Sequence, residues 1–292
     1  MRDFSQDHRW LSINTATIRK SGGIDLPLPA IIEACVRKGI RAISPWRDQV
    51  AAAGLANVSK QVRAHGLELS GYCRGGMFPS TDAAGLKAAR DDNRRAVDEA
   101  SELNAACLVL VVGGLPGALQ GRAAHKDIAL SRTQVRDGIA ELLDYARQAR
   151  MPLAIEPLHP MYAADRACIN TLEQALDVCD ELDAQRTGAL GVAVDAYHVW
   201  WDPKLRQQIA RAGKDRLLAF HVCDWLTPTT DLLNDRGMMG DGVIDLPQMR
   251  GWVEEQGFAG YSEVEIFSTG NWWLKPHEEV LDTCIARHTT AV

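Results

Sequence analysis

Eight short runs rich in Val, Ile, Leu and Ala recur along this chain, and helical patterns stand between them. Strands that alternate with helices pair in parallel through right-handed crossovers. Eight such units in 292 residues predict a single (β/α)8 TIM barrel, since this fold typically needs about 250 residues. The strand runs are predicted at residues 10–16, 40–44, 67–73, 106–112, 152–156, 190–195, 217–222 and 261–267.

The segments between the runs carry apolar residues at helical spacing. Gly39 is placed to end the first helix, and Asp82 is placed to cap a long helix that begins after it. No repeat, low-complexity tract or linker interrupts the alternation. We therefore expect residues 1–292 to form one TIM-barrel domain.

The composition excludes several classes of function. Hydrophobic residues make up 46% and charged residues 24% of the chain, as in ordinary globular proteins. A net charge of -6 without a basic stripe argues against nucleic acid as a partner. We see no signal sequence and no apolar run of the roughly 18 residues that cross a membrane, so we expect a cytoplasmic protein with no membrane partner. Seven scattered cysteines without a CxxC pair favour reduced thiols over disulfides or a zinc finger.

Ionisable side chains close the last four apolar runs. They are Glu156, Asp195, His221 and Glu265. The C-terminal strand ends of a barrel share one face, where active sites lie. Buried ionisable groups are costly without a partner, and one shared cation would supply it. Three carboxylates and an imidazole suit Mn²⁺, Mg²⁺, Co²⁺ or Zn²⁺.

Over nearly its whole length the chain resembles the xylose isomerase-like TIM barrel superfamily, which includes sugar phosphate isomerases and epimerases. An Asp followed three residues later by a His, then a strand-end His, a GDGxxD loop and a final Glu, is a fairly specific order. The matching motifs are IEPLHP with Glu156, VDAYHVWWDP with Asp195 and His198, FHVCDW with His221, RGMMGDGVID with Arg236, and EVEIF with Glu265.

The resemblance implies one divalent ion, most often Mn²⁺, held by Glu156, Asp195, His221 and Glu265. It implies an isomerase or epimerase of a sugar, keto-sugar or sugar acid, which abstracts a proton and forms a metal-stabilised enediolate. Glu156 and Glu265 would be the catalytic acid and base. His198 and Arg236 would bind substrate oxygens.

Further substrate contacts are predicted from residues near the strand ends. His159 lies three residues after Glu156, and Asp224 follows His221 by three and is a candidate to orient an imidazole. Indole rings pack on sugar C–H faces, so we expect about half of the loop tryptophans to line a carbohydrate pocket, Trp225 and Trp272 among them. The set is Trp46, Trp200, Trp201, Trp225, Trp272 and Trp273.

The sequence leaves alternatives to an isomerase open. An enediolate beside a leaving group can eliminate, so a metal-dependent lyase or dehydratase acting on a keto-sugar, cyclitol or glycoside, similar to inosose dehydratase, is the second hypothesis. A sugar-binding protein without activity is the third. The three-zinc DNA-repair endonucleases of the same superfamily are disfavoured, because Gly237 stands where they have a histidine ligand. A homodimer is expected, and the sequence shows no phosphate-loop pattern.

Overall fold

The computed structural model describes residues 2–292 and contains eight parallel strand positions. Strand β3 is interrupted at Ser70–Gly71 and therefore has two segments. The strands are β1 (Leu11–Asn14), β2 (Ala42–Ser44), β3 (Glu68–Leu69 and Tyr72–Gly76), β4 (Leu108–Val111), β5 (Leu153–Ile155), β6 (Leu190–Asp195), β7 (Leu217–Val222) and β8 (Ser262–Val264). All eight predicted runs contain a strand.

The strands form a nearly closed barrel. Strand β1 pairs in parallel with both β2 and β8, which joins the two ends of the strand series. The first segment of β3 pairs with β2, and its second segment pairs with β4. The prediction of a TIM barrel is thereby confirmed.

Helices cover the outside of the barrel. The predicted cap is present, since the Asp82 side chain accepts a hydrogen bond from the backbone N–H of Gly85. No helix within residues 2–292 is long and apolar enough to cross a membrane. The helices are α1 (Leu28–Arg37), α2 (Arg47–Ala53), α3 (Leu55–His65), α4 (Ala83–Glu102), α5 (Ile128–Ala149), α6 (Leu172–Leu182), α7 (Ala196–Val199), α8 (Leu205–Arg216), α9 (Leu246–Glu255) and α10 (His277–Ala291).

The barrel interior differs from the layer between strands and helices. Large aliphatic side chains fill the outer layer, whereas the interior beneath the C-terminal face holds small residues such as Ala154, Ala193 and Ala219. Side chains two residues apart on a strand point to the same side. Glu156, Asp195 and His221 therefore follow these three alanines into the interior, one layer higher. The seven cysteines are buried free thiols, as expected.

A glycine allows β3 to lie close to β4. Gly76 has a φ of +110°, and a Cβ at this position would lie 2.0 Å from the carbonyl oxygen of Val111. No side chain fits that space, so Gly76, the last glycine of GYCRGG, has a steric role at the rim of the barrel.

We expect Gly76→Ala to destabilise the protein by more than the roughly 1–3 kcal/mol that an unfavourable backbone conformation costs, because the steric overlap with Val111 adds to it. The control is Gly121→Ala, at a φ of +96° with no atom within 4 Å of the added Cβ. Urea denaturation followed by circular dichroism gives both free energies of unfolding. Equal losses in the two variants would contradict the steric role.

Candidate metal centre and substrate cavity

The four predicted ligands meet at the C-terminal end of the barrel. Each of Glu156, Asp195, His221 and Glu265 offers one ligand atom, and these atoms lie within 4.8 Å of one another. All four residues are at most 5% exposed. Strands β5 to β8 each supply one of them, and the register places His221 beside Asp195. The sequence prediction that these residues share one location agrees with this geometry.

Burial is the largest influence on the carboxylates of the cluster, and the charges of their neighbours add to it or oppose it. Burial raises the pKa of Glu156 to about 7, and the charges of Glu265 and Asp195 act in the same direction. Burial would also raise the pKa of Glu265, but the neighbouring His221 and Arg236 lower it below its ordinary value. The Nδ1 atom of His221 lies 3.0 Å from Glu156 Oε1 and 3.5 Å from Glu265 Oε2.

The donor set fits a divalent cation. Glu156 Oε1 and His221 Nδ1 are buried and lie 3.0 Å apart, but neither makes a hydrogen bond of acceptable geometry with the described residues. Buried polar atoms are normally bonded, so these two atoms fit a shared cation. Hard carboxylate oxygens with one imidazole nitrogen form a set that Mn²⁺, Mg²⁺, Co²⁺ and Zn²⁺ accept.

Arg236 and His198 form the next layer of the site. Arg236 begins the second strand of an antiparallel hairpin whose first strand is Asp224–Trp225. Its Nη1 atom donates to Asp195 Oδ2 at 3.0 Å and to the backbone oxygen of Glu265 at 3.2 Å. Its Nη2 atom lies 3.0 Å from His198 Nε2. The backbone N–H of His159 faces the other ring nitrogen of His198 at 3.2 Å.

Each ring nitrogen of His198 faces a hydrogen-bond donor, His159 N–H or Arg236 Nη2. A neutral imidazole accepts a hydrogen bond at only one nitrogen, so His198 accepts from one of these donors at a time. Burial lowers the pKa of His198 to about 3, although the charge of Asp195 opposes the shift. The ring is therefore neutral, and it holds the Arg236 guanidinium against the cluster.

Glu263 was missed at the level of sequence. It is 1% exposed and lies in the interior one layer below Glu265. Its carboxylate accepts hydrogen bonds from Asn14 Nδ2 at 2.8 Å and Ser70 Oγ at 2.7 Å, and it lies 3.5 Å from His221 Nε2. A carboxylate beside one ring nitrogen orients the other toward a metal. The period of two along EVE could have predicted this position.

A cavity of about 580 Å³, including its open mouth, lies over the cluster. Glu156, Glu265, His198 and Arg236 reach its wall, together with two arginines that the sequence reasoning also missed, Arg74 and Arg166. Its remaining lining is mostly apolar: Trp46, Cys73, Met77, Val109, Val111, Leu119, Leu158, Tyr162, Leu233 and Phe267. Arg74 follows the predicted strand run 67–73 directly, so its position at a strand end could have drawn attention to it, whereas nothing in the sequence pointed to Arg166.

Most of the tryptophans predicted to contact the substrate do not line this cavity. Within residues 2–292, Trp46 alone of the six loop tryptophans belongs to the cavity lining. Trp225 stacks on the His159 ring at 5.0 Å, and His159 Nδ1 accepts from the backbone N–H of Met161. Trp272 is 7% exposed and packs in the core. Direct substrate contact by His159, Trp225 and Trp272 stays a prediction, and the expectation that half of the tryptophans line the cavity is wrong.

The prediction for Asp224 is also wrong. Its carboxylate accepts hydrogen bonds from the backbone N–H groups of Gly240 and Ile244 at 2.9 and 3.0 Å. It therefore closes the loop that contains the GDG sequence and does not orient an imidazole.

Comparison with known proteins gives both a family and individual relatives. A family model described as xylose isomerase-like TIM barrel matches residues 32–285. The inosose isomerase of Halalkalibacterium halodurans is 23% identical over 206 residues, which are 70% of this chain and 68% of that protein.

Two solved structures extend the likeness to the whole fold. The crystal structure of protein SMc04130 from Sinorhizobium meliloti 1021 is 57% identical and superposes with a TM-score of 0.91, covering 97% of this chain and 98% of that chain. An IolI protein with a bound zinc atom is 19% identical and superposes with a TM-score of 0.77 over 96% of each chain. At that identity the second likeness concerns the fold alone.

Proposed function

Because the chain belongs to the xylose isomerase-like TIM barrel family, we propose that it is a divalent-metal-dependent isomerase or epimerase of a sugar, keto-sugar or sugar acid. One observation carries this proposal: two carboxylates of a buried four-residue cluster, Glu156 and Glu265, reach the wall of the same cavity. The relative named inosose isomerase supports a small polyhydroxylated ketone as the class of substrate.

In this proposal Glu156, Asp195, His221 and Glu265 hold one divalent ion, with Mn²⁺ preferred and Mg²⁺, Co²⁺ or Zn²⁺ as alternatives. When bound, the ion supplies Lewis-acid stabilisation of the negative charge that develops on substrate oxygens during deprotonation. Glu263 fixes the orientation of the His221 ring through Nε2, so that Nδ1 faces the three ligand carboxylates.

Proton transfer falls to Glu156 and Glu265. They come from β5 and β8, which are separated by two strands, so they approach the cavity from different sides. One carboxylate removes the proton beside the carbonyl group. Return of a proton to the opposite face of the same carbon gives epimerisation, whereas return to the neighbouring carbon gives aldose–ketose isomerisation.

Arg236 and His198 position the substrate. The Nε atom of Arg236 is buried without a partner among the described residues, although the other nitrogens of the guanidinium bind Asp195 and His198. A fixed guanidinium with a free N–H suits a carbonyl or hydroxyl oxygen.

Protein purified without chelator should contain about one divalent ion per chain by elemental analysis, and its melting temperature should fall when a chelator removes the ion.

We expect Asp195→Asn to lose most of the bound metal, because the Asp195 carboxylate supplies part of the charge that balances it. Asp202→Asn, at another buried carboxylate outside the cluster, should retain it. Equal metal contents in the two variants would contradict the ligand set.

We expect Glu263→Gln to weaken metal binding about 10- to 100-fold, the usual effect of losing a group that orients a ligating histidine. Competition with a chromophoric chelator measures the dissociation constant, and ¹⁵N chemical shifts of the imidazole report which ring nitrogen carries the proton. Glu68→Gln, at an exposed position on β3, is the control. An unchanged dissociation constant together with unchanged ¹⁵N shifts would remove Glu263 from the site.

Incubation of metal-loaded protein with keto-sugars and cyclitol ketones in D₂O should place solvent deuterium in a product with an unchanged carbon skeleton. We expect Glu156→Gln and Glu265→Gln to reduce this exchange about 10²- to 10⁴-fold, the usual contribution of general acid–base catalysis. Exposed Glu141→Gln on α5 is the control. Metal analysis of the same samples separates loss of the base from loss of the ion.

The same incubation distinguishes the second hypothesis. An ultraviolet-absorbing enone would assign the protein to the lyases in place of the isomerases. Neither exchange nor elimination across the panel, or full activity in both glutamate variants, would overturn the proposed mechanism.

A further inference from the structure

Arg74 carries an unneutralised positive charge in the wall of the cavity. It lies near the end of the second segment of β3 and is half-buried. No side chain within residues 2–292 forms an ion pair or a hydrogen bond with its guanidinium. Burial lowers the pKa of Arg74, and the charge of Arg166 acts in the same direction, whereas the charge of Glu156 opposes the shift without reversing it. A partly buried guanidinium without a counter-charge is costly, so its position calls for a ligand.

Arg166 brings a second positive charge to the same cavity. Its nearest carboxylate within the described chain is that of the adjacent Asp165, whose Oδ2 lies 3.9 Å from Arg166 Nε, at the outer limit of an ion pair. That Nε atom is buried and makes no hydrogen bond to the described residues.

The backbone around Arg166 is fixed. Its carbonyl oxygen accepts from the N–H of Gly113 at 2.9 Å, and its own N–H donates to the carbonyl oxygen of Tyr162 at 3.1 Å. The guanidinium carbon lies 5.7 Å from the centre of the Tyr162 ring. The backbone of Arg166 is therefore anchored at the edge of the cavity, and its guanidinium lies beside the Tyr162 ring.

The carboxylates of the neighbouring cluster do not neutralise this pair. Asp195 and Glu265 already form ion pairs with Arg236, and Glu156 contacts His221. In the proposed site a divalent ion would balance the negative charge that remains on these carboxylates. The rest of the lining near the two arginines is apolar, including Met77, Val111 and Leu158. The two guanidinium groups therefore have no anionic partner in a cavity whose lining is mostly apolar.

We propose that Arg74 and Arg166 form a subsite for an anionic group, a carboxylate or a phosphate, on the substrate. The planar fork of each guanidinium matches the oxygens of either group. The enzyme would then act on an acidic sugar derivative, with the anionic group at the arginine pair and the reacting carbons at Glu156 and Glu265. This assignment of substrate class rests on the proposed function for its reaction, whereas the binding of anions does not depend on it.

The test is calorimetric titration of the full-length, metal-containing protein with inorganic phosphate, D-glucuronate and neutral D-glucose. We expect Arg74→Gln and Arg166→Gln each to weaken binding of at least one of the two anions tenfold or more, with no effect on D-glucose. The control is Arg63→Gln, at an exposed arginine of α3, which should bind like the wild type. Preference for D-glucuronate identifies a carboxylate, and preference for phosphate identifies a phosphate ester.

Equal anion binding by the wild type and both cavity variants, including no binding in any of them, overturns the subsite. The deuterium-exchange assay keeps this result separate from the proposed reaction. Exchange into keto-sugars by the wild type, together with anion binding that is equal in the wild type and both arginine variants, preserves the isomerase and rejects the subsite. Anion binding that is lost in both arginine variants, without exchange into any keto-sugar, preserves the subsite and rejects the isomerase.

Discussion

Negative charge concentrated inside the barrel is the constraint on which the rest of the site depends. Three carboxylates converge within 4.8 Å of a shared imidazole in a region that water barely reaches. Burial raises the pKa of Glu156 to about 7, and the like charges of Glu265 and Asp195 add to this shift. The surroundings must supply positive charge, and Arg236 supplies part of it through contacts with Asp195 and Glu265.

The barrel provides room for this cluster because its interior is built from small side chains. On β5, β6 and β7 an alanine lies two residues before the ionisable group, so these strands contribute only methyl groups to the layer beneath the cluster. Strand β8 differs, since Glu263 occupies the equivalent place below Glu265. Its carboxylate accepts hydrogen bonds from Asn14 on the neighbouring strand β1 and from Ser70 in β3, which links the cluster to the first strands of the barrel.

The cavity above is electrically asymmetric. Acidic groups from β5 to β8 form one side, and Arg74 with Arg166 contributes uncompensated positive charge to the wall. A substrate that carries an anion at one end and a ketone with hydroxyl groups at the other would be oriented by this field before any specific hydrogen bond forms. Such orientation suits a reaction in which the position of one C–H bond relative to two carboxylates decides the product.

The sequence by itself determined the fold and the ligand candidates. Alternating strand and helix patterns fixed the number of units, and ionisable residues at strand ends identified Glu156, Asp195, His221 and Glu265, because strand ends share a face in any parallel barrel. A helix was predicted in each segment between the strand runs, but the division of the second segment into α2 and α3 at Gly54 was not predicted.

Only the tertiary structure decided which loop and interior residues complete the site. The stagger between β7 and β8 sets Glu263 beside His221, and the closure of β3 against β4 brings Arg74 to the cavity. It also decided that Trp225 stacks on His159, that Trp272 packs in the core and that Asp224 closes the GDG loop. These outcomes depend on contacts between residues far apart in the chain, whose geometry is set by strand register and loop path and leaves no periodic trace in the sequence.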